Sequence, residues 1–198
     1  MKTLRKLLVL APVMVMSLTA CEAKIDEAKA SERAKGYNAT EVAKEYKSFD
    51  QKSTCKVNKN TGVFADGGLY GALIIPLLKE ALNTEEKDLP ADQGVYTTAA
   101  FAELMSAANT EDNAKTTISY YAYKDTGLKI VGEAKAEESS EGIKSKGTSK
   151  VEMYVLDDGR IEKGSGYIKM SMSGSSSGVK VDGELDMSFN ITYTWHKA

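Results

Sequence analysis

Two cysteines, Cys21 and Cys55, and a single histidine, His196, are the side chains best suited to nucleophilic or metal chemistry in this 198-residue chain. One histidine cannot build a His-rich metal site. His196 lies two residues from the end, at a polar position of an alternating run, and reads as a surface residue. A catalytic Cys55 would need His196 as its base, so Cys55 reads instead as a buried apolar side chain. Gly174-Ser175-Ser176-Ser177-Gly178 formally matches G-x-S-x-G. That pattern activates a serine only between a buried strand and a helix, and here it joins two strand-like runs. The acid pairs Asp157/Asp158 and Glu137/Glu138 fall in turn-like stretches, where carboxylates are solvated, and Asp182-Gly183-Glu184-Leu185-Asp186 lacks calcium-loop spacing. Tyr120, Tyr121 and Tyr123 could line a ligand cleft, although aromatic residues are ordinary strand formers. The expectation is a protein that is not an enzyme and has neither cofactor nor metal.

Cys21 is different. Lys2, Arg5 and Lys6 precede an apolar run from Leu7 to Met16, and small residues follow. These are the three parts of a secretory signal. The run is too short to cross a hydrocarbon core of roughly 30 Å as a helix. Leu18-Thr19-Ala20-Cys21 resembles the lipobox of bacterial lipoproteins. The resemblance implies cleavage before Cys21, a diacylglyceryl thioether on its sulfur and anchorage to a membrane by two or three acyl chains. Two or more chains give stable attachment where one is marginal. It also implies an address: Asp after the modified cysteine tends to retain lipoproteins in the inner membrane. This chain has Glu22 there, which favours the outer membrane, facing the periplasm.

Removing residues 1–20 would take away three basic residues and no acidic ones, leaving 23 basic against 28 acidic. Only Arg33 and Arg160 among the arginines would survive. Nucleic-acid binding needs a clustered basic surface rich in arginine forks, so that class is excluded. The remaining length suffices for one domain with a real core, and an acylated Cys21 leaves Cys55 without a partner.

Residues 21–36 are rich in Ala, Lys and Glu, with Ile25 the one large aliphatic, and read as a tether or loosely docked helix. Val42, Tyr46 and Phe49 have helical spacing, with Asn38 and Glu41 as a start signal. Residues 69–78 carry no charge, and Pro76 predicts a bent helix. A further short helix is expected over Thr98 to Ala108, with Phe101, Leu104 and Met105 on one side. From Lys115 onward the pattern alternates. Ile118, Leu128, Val151 and Ile168 each belong to one of four short strands, with a polar loop over 137–147 and a tight turn at Asp157-Asp158-Gly159. From Val179 to Trp195 every odd position except Gly183 is apolar and every even one is polar. Such a run means one face on a core and one in water. At ~3.3 Å per residue it is ~55 Å long, and Gly183 is expected to mark a bend or bulge.

The expected fold is α+β: one domain over 37–198, with helices in 37–110 packed on a curved antiparallel meander of about five strands in 115–197. In outline this is similar to the half-barrels of lipoprotein carriers and cell-wall lipid carriers. That likeness implies a hydrophobic ligand held between segment 69–78 and the sheet, by Leu69, Leu73, Ile74 and Leu77 on one side and Met187 and Phe189 on the other. It predicts a dry cavity of at least a few hundred Å³ there. The alternative is a solid core and a non-catalytic scaffolding role, with another envelope protein as partner.

Overall fold

The computed structural model describes residues 22–82, 88–107, 114–176 and 178–198; residues 1–21, with Cys21 and the stretch read as a signal, lie outside the described residues. Strands β4 (Ala114–Tyr123), β5 (Gly127–Ser140), β6 (Ile143–Val155), β7 (Ile161–Ser176) and β8 (Val179–Lys197) form the expected five-strand meander. The strand content goes well beyond it. One eight-stranded antiparallel sheet runs in the order β1-β4-β5-β6-β7-β8-β2-β3, with β1 (Lys24–Ile25), β2 (Tyr46–Asn60) and β3 (Asp88–Pro90) drawn from the N-terminal half. The α+β expectation is therefore corrected: among the described residues the protein is mostly β, an open sheet carrying four short α-helices. These are α1 (Glu27–Ala34), α2 (Ala39–Glu45), α3 (Gly71–Leu82) and α4 (Thr98–Ala107). The edge strands β1 and β3 are two and three residues long, and β3 ends on Pro90, which blunts edge-to-edge pairing.

Asn38 does start a helix, its side-chain oxygen accepting from the amides of Thr40 and Glu41. That helix ends at Glu45, and Tyr46 turns into β2, which pairs with β8 along its length. The inward positions of β2 include Phe49, Ser53, Cys55 and Val57. Two of those four are small and weakly apolar, which hides a strand from pattern reading. The polar loop expected over 137–147 is likewise replaced by strand. Only Glu141 and Gly142 turn, with φ of 52° and 79°, the left-handed pair that tight hairpins require.

Gly183 is not a bulge. The β7–β8 register passes through Met172↔Gly183 without a shift, whereas β2 slips against β8 between Val57 and Lys59. A Cβ at Gly183 would lie 2.4 Å from the Thr61 carbonyl oxygen. Glycine is needed there because the chain leaving β2 crosses directly over β8.

The stretch read as a tether or loosely docked helix holds a helix packed on the sheet. Asp26 caps α1 by accepting from the Lys29 amide at 2.9 Å. Ala30 and Ala34 are buried to 0% and 1% exposure against Phe101, Tyr120 and Leu128. Thr98 Oγ1 donates to the Ala34 and Tyr37 carbonyls, and Arg33 Nη1 to the Gly127 carbonyl. Small side chains let the helix approach closely, so burial needs no large aliphatic residue. No helix among the described residues is long and apolar enough to cross a membrane.

Candidate functional site

Segment 69–78 does lie over the sheet, and where a cavity was expected its inward side chains join a buried cluster. Ile74, Ile75 and Leu78 of α3 pack directly on Met187, Phe189 and Ile191 of β8, with Phe64, Ile168 and Met170 completing the cluster. Ile74, Met187 and Phe189 are exposed by only 4%, 0% and 1%. These three residues are structural core. Leu69, Leu73 and Leu77 point the other way and are 69%, 60% and 55% exposed. Leu73 and Leu77, four apart in α3, share its outer side, and Leu69 lies in the turn just before it. The six residues expected to share a ligand are thus split between a filled core and an open surface.

The space lies elsewhere on the same sheet face. Successive strand residues point to opposite faces, so Ile130, Gly132 and Ala134 of β5 share the inner side with Ile118 of β4 and with Ser149, Val151 and Met153 of β6. Between these strands and α4 lies an open cleft of about 360 Å³, walled by Tyr96, Ala100, Glu103 and Leu104. A second core cluster closes one side of it, around Phe101, Ile130 and Met153; Val151 at its floor belongs to the fringe of the α3 cluster. The cleft exists because the inward residues at its centre are small. Gly132 pairs with Val151 and Ala134 with Ser149, and a Cβ built on Gly132 would meet nothing within 4 Å. Its lining is predominantly apolar. Burial pushes the Tyr96 phenol well above its ordinary range, so it stays a neutral donor, directed at the Ala100 carbonyl at 3.2 Å.

The outer face of the same strands is a charged ladder. A groove of about 260 Å³ runs over Thr117, Ser119, Tyr121, Lys129, Val131, Lys150 and Glu152. Lys129 Nζ sits 2.8 Å from a Glu22 carboxylate oxygen and 3.0 Å from Glu152. Lys150 reaches the other oxygen of Glu152 at 2.9 Å. Burial disfavours charge on Lys129, yet Glu22, Tyr154 and Glu152 outweigh it and hold its pKa above the ordinary value. Burial likewise works against ionised Glu152, and the two ammonium groups overcome it, so its carboxyl titrates below 4.5. Both ammonium groups of the groove are thus paired with carboxylates, and Glu133 stands at 3.9 Å from Lys150.

His196 is on the outer face, beside two carboxylates. Asp50 and Asp88 stand directly opposite in the β2–β3 register, and His196 Nε2 lies 3.0 Å from Asp50 and 3.8 Å from Asp88. All three are at least 36% exposed. A hydrogen bond from Asp88, then one from His196, lowers the Asp50 pKa; the same contact with Asp50 raises that of Asp88. Cys55 is a free, half-buried thiol whose pKa is raised by burial, the opposite of an activated nucleophile. Ser175 and Ser176 close β7 at the hairpin to β8, with no helix after them; Ser177 lies outside the described residues.

None of the cleft residues was expected at a site; Leu104, Ile118 and Val151 were placed by sequence only as parts of a helix and of two strands. The available signal was a block of small inward residues on neighbouring strands, at Gly132, Ala134 and Ser149, between larger ones at Ile130 and Met153. No protein-family model, curated protein or solved structure matches this chain.

Proposed function

We propose that this chain is a lipid-anchored protein of the cell envelope that binds a small hydrophobic ligand without catalysing a reaction. The anchor is Cys21, read from Leu18-Thr19-Ala20-Cys21, with Glu22 favouring the periplasmic side of the outer membrane. The observation that carries ligand binding is the apolar cleft over Gly132, where about 360 Å³ stays open between α4 and the sheet. A ~150 Å³ apolar cavity accommodates benzene. Scaled by volume, this cleft takes roughly fourteen carbon atoms, the size of one medium acyl chain or a small fused-ring compound. The site proposed from α3 is replaced by this one.

The test is binding of a fluorescent polyene fatty acid, with native mass spectrometry of the purified protein for co-purified lipid. Saturable one-to-one binding, lost when Gly132 is replaced by leucine, supports the reading. No saturable binding together with no co-purified hydrophobic molecule refutes it.

One observation favours the scaffolding alternative. Leu69, Leu73 and Leu77 form an exposed apolar row on the far side of the α3 segment from its core contacts, and exposed apolar patches mark contact surfaces. Under that reading, cross-linking from this row captures a defined envelope protein and the cleft stays empty.

A further inference from the structure

Cys21 is joined by one peptide bond to a residue that is locked into the sheet. The Glu22 carboxylate is paired with Lys129 at 2.8 Å, and the two side chains are only 11% and 15% exposed. Lys129 is itself immobilised by Glu152 at 3.0 Å and by the Tyr154 ring, 5.1 Å from its ammonium. The backbone is held as well: the Ala122 amide donates to the Ala23 carbonyl at 2.9 Å, and Lys24 and Ile25 pair with Tyr121 and Tyr120. Helix α1 follows at once, with Ala30 and Ala34 buried. Residue 22 is therefore fixed to the sheet by its side chain and by the backbone that follows it.

Resting on the lipid-anchor reading above, we infer that this end of the sheet lies directly against the bilayer, with no spacer. The β1–β4 register, continued by two residues from Lys24↔Tyr121, sets Glu22 level with Tyr123. The next residues of the chain after β4 are the exposed turn Lys124-Asp125-Thr126. That turn is the surface presented to the lipid headgroups. The apolar cleft is set back from it: its wall at Ile130 is level with Tyr120, three residues of β4 from Tyr123, which is ~10 Å at about 3.4 Å per residue. A hydrophobic ligand would then reach the cleft through water or from a partner protein, not by sliding sideways out of the leaflet. The opposite end of the sheet, at the Glu141-Gly142 turn, points into the aqueous space.

The test uses full-length protein expressed and processed in a bacterial envelope, purified and placed in vesicles containing nitroxide-headgroup phospholipid. In a Cys55→Ala background, Asp125→Cys, Ala102→Cys and Ser140→Cys carry a fluorophore at the turn, beside the cleft and at the far hairpin. Quenching of more than half is expected at position 125, and little at 102 and 140. A ten-residue Gly/Ser spacer inserted between Cys21 and Glu22 should bring position 125 down to the level of 140. N-terminal mass spectrometry precedes the measurement. An unacylated Cys21 overturns both the anchor reading and this inference. An acylated protein whose position 125 is unquenched, or is quenched equally with the spacer, overturns the clamped orientation alone.

Discussion

Gly132→Leu separates an open cleft from a packed core by the sign of its effect. Glycine within a strand costs about 0.5–1 kcal/mol relative to alanine, and a Cβ at Gly132 would meet nothing within 4 Å. A leucine side chain buried there contributes up to ~1.5–3 kcal/mol. The wall of the cleft remains open to water on one side, so about 1–3 kcal/mol of net stabilisation is expected from the two effects together. For a chain of this size that raises Tm by about 2–10 °C. The same side chain occupies the space of about four ligand carbons. At ~0.8 kcal/mol per CH₂ the ligand loses ~3 kcal/mol, a weakening of about 200-fold. Urea unfolding and displacement of the fluorescent fatty acid measure the two quantities on one preparation. Gly166→Leu, on strand β7 across β6 from Gly132, is the control. A Cβ there would sit 2.3 Å from the Lys150 carbonyl oxygen and 2.7 Å from the Phe189 ring, so the same substitution should unfold or severely destabilise the protein. If Gly132→Leu is destabilising like Gly166→Leu, or leaves the probe's affinity unchanged, the cleft is not a site.

Phe189→Ala should cost about 3–5 kcal/mol in urea unfolding, because it empties a filled core in which Phe189 is 1% exposed; a loss below ~1 kcal/mol would mean that the space beneath α3 is loose after all. Replacing Leu69, Leu73 and Leu77 together by serine should change stability by less than ~1 kcal/mol, since exposed positions contribute little; under the scaffolding reading the same variant loses its cross-linked partner. Glu152 titrates below its ordinary value of 4.5 in the folded state, so its contribution is present above that value and is lost as pH falls through the folded pKa. Glu152→Gln should therefore flatten the acid limb of the urea midpoint between about pH 5 and pH 3, and an unchanged limb would show that the Lys129–Glu152–Lys150 ladder contributes nothing. Gly183→Ala should destabilise by more than ~1 kcal/mol, because the new Cβ meets backbone at Thr61 that cannot rotate away, which thermal unfolding reads directly.

How much of this could be seen in the sequence depends on which residues carried the signal. The run from Val179 to Trp195 was legible because burial and alternation coincide at Leu185, Met187, Phe189 and Ile191, which are buried between 0% and 3%. Strand β2 was not legible. It lies between β8 and β3, but beyond Tyr46 and Phe49 its inner face includes the buried Ser53 and the half-buried Cys55, so its alternation carries little apolar signal. The N-terminal segment, read as a tether or a loosely docked helix, gave little signal for a related reason: it docks through Ala30 and Ala34, where closeness of approach replaces side-chain bulk. Helix α3 was read with the right character and the wrong consequence. A charge-free stretch has no face that must avoid the core, so composition could not show which side packs and which is left bare.

The cleft follows from the same physics in reverse. Pattern reading looks for large apolar residues, and those mark where a sheet face is filled; a binding site on that face is marked by residues too small to fill it. Gly132, Ala134 and Ser149 satisfy strand alternation as well as isoleucine would, yet together they leave room for a ligand where β4, β5 and β6 pass beneath α4. The meaning of each small residue is settled only by what stands above it. Gly166 and Gly132 are both inward-facing strand glycines on the same sheet face; one accommodates the Phe189 ring and the other faces open space. Sequence spacing cannot tell those two cases apart, because the atoms that distinguish them come from strands and helices distant in the chain.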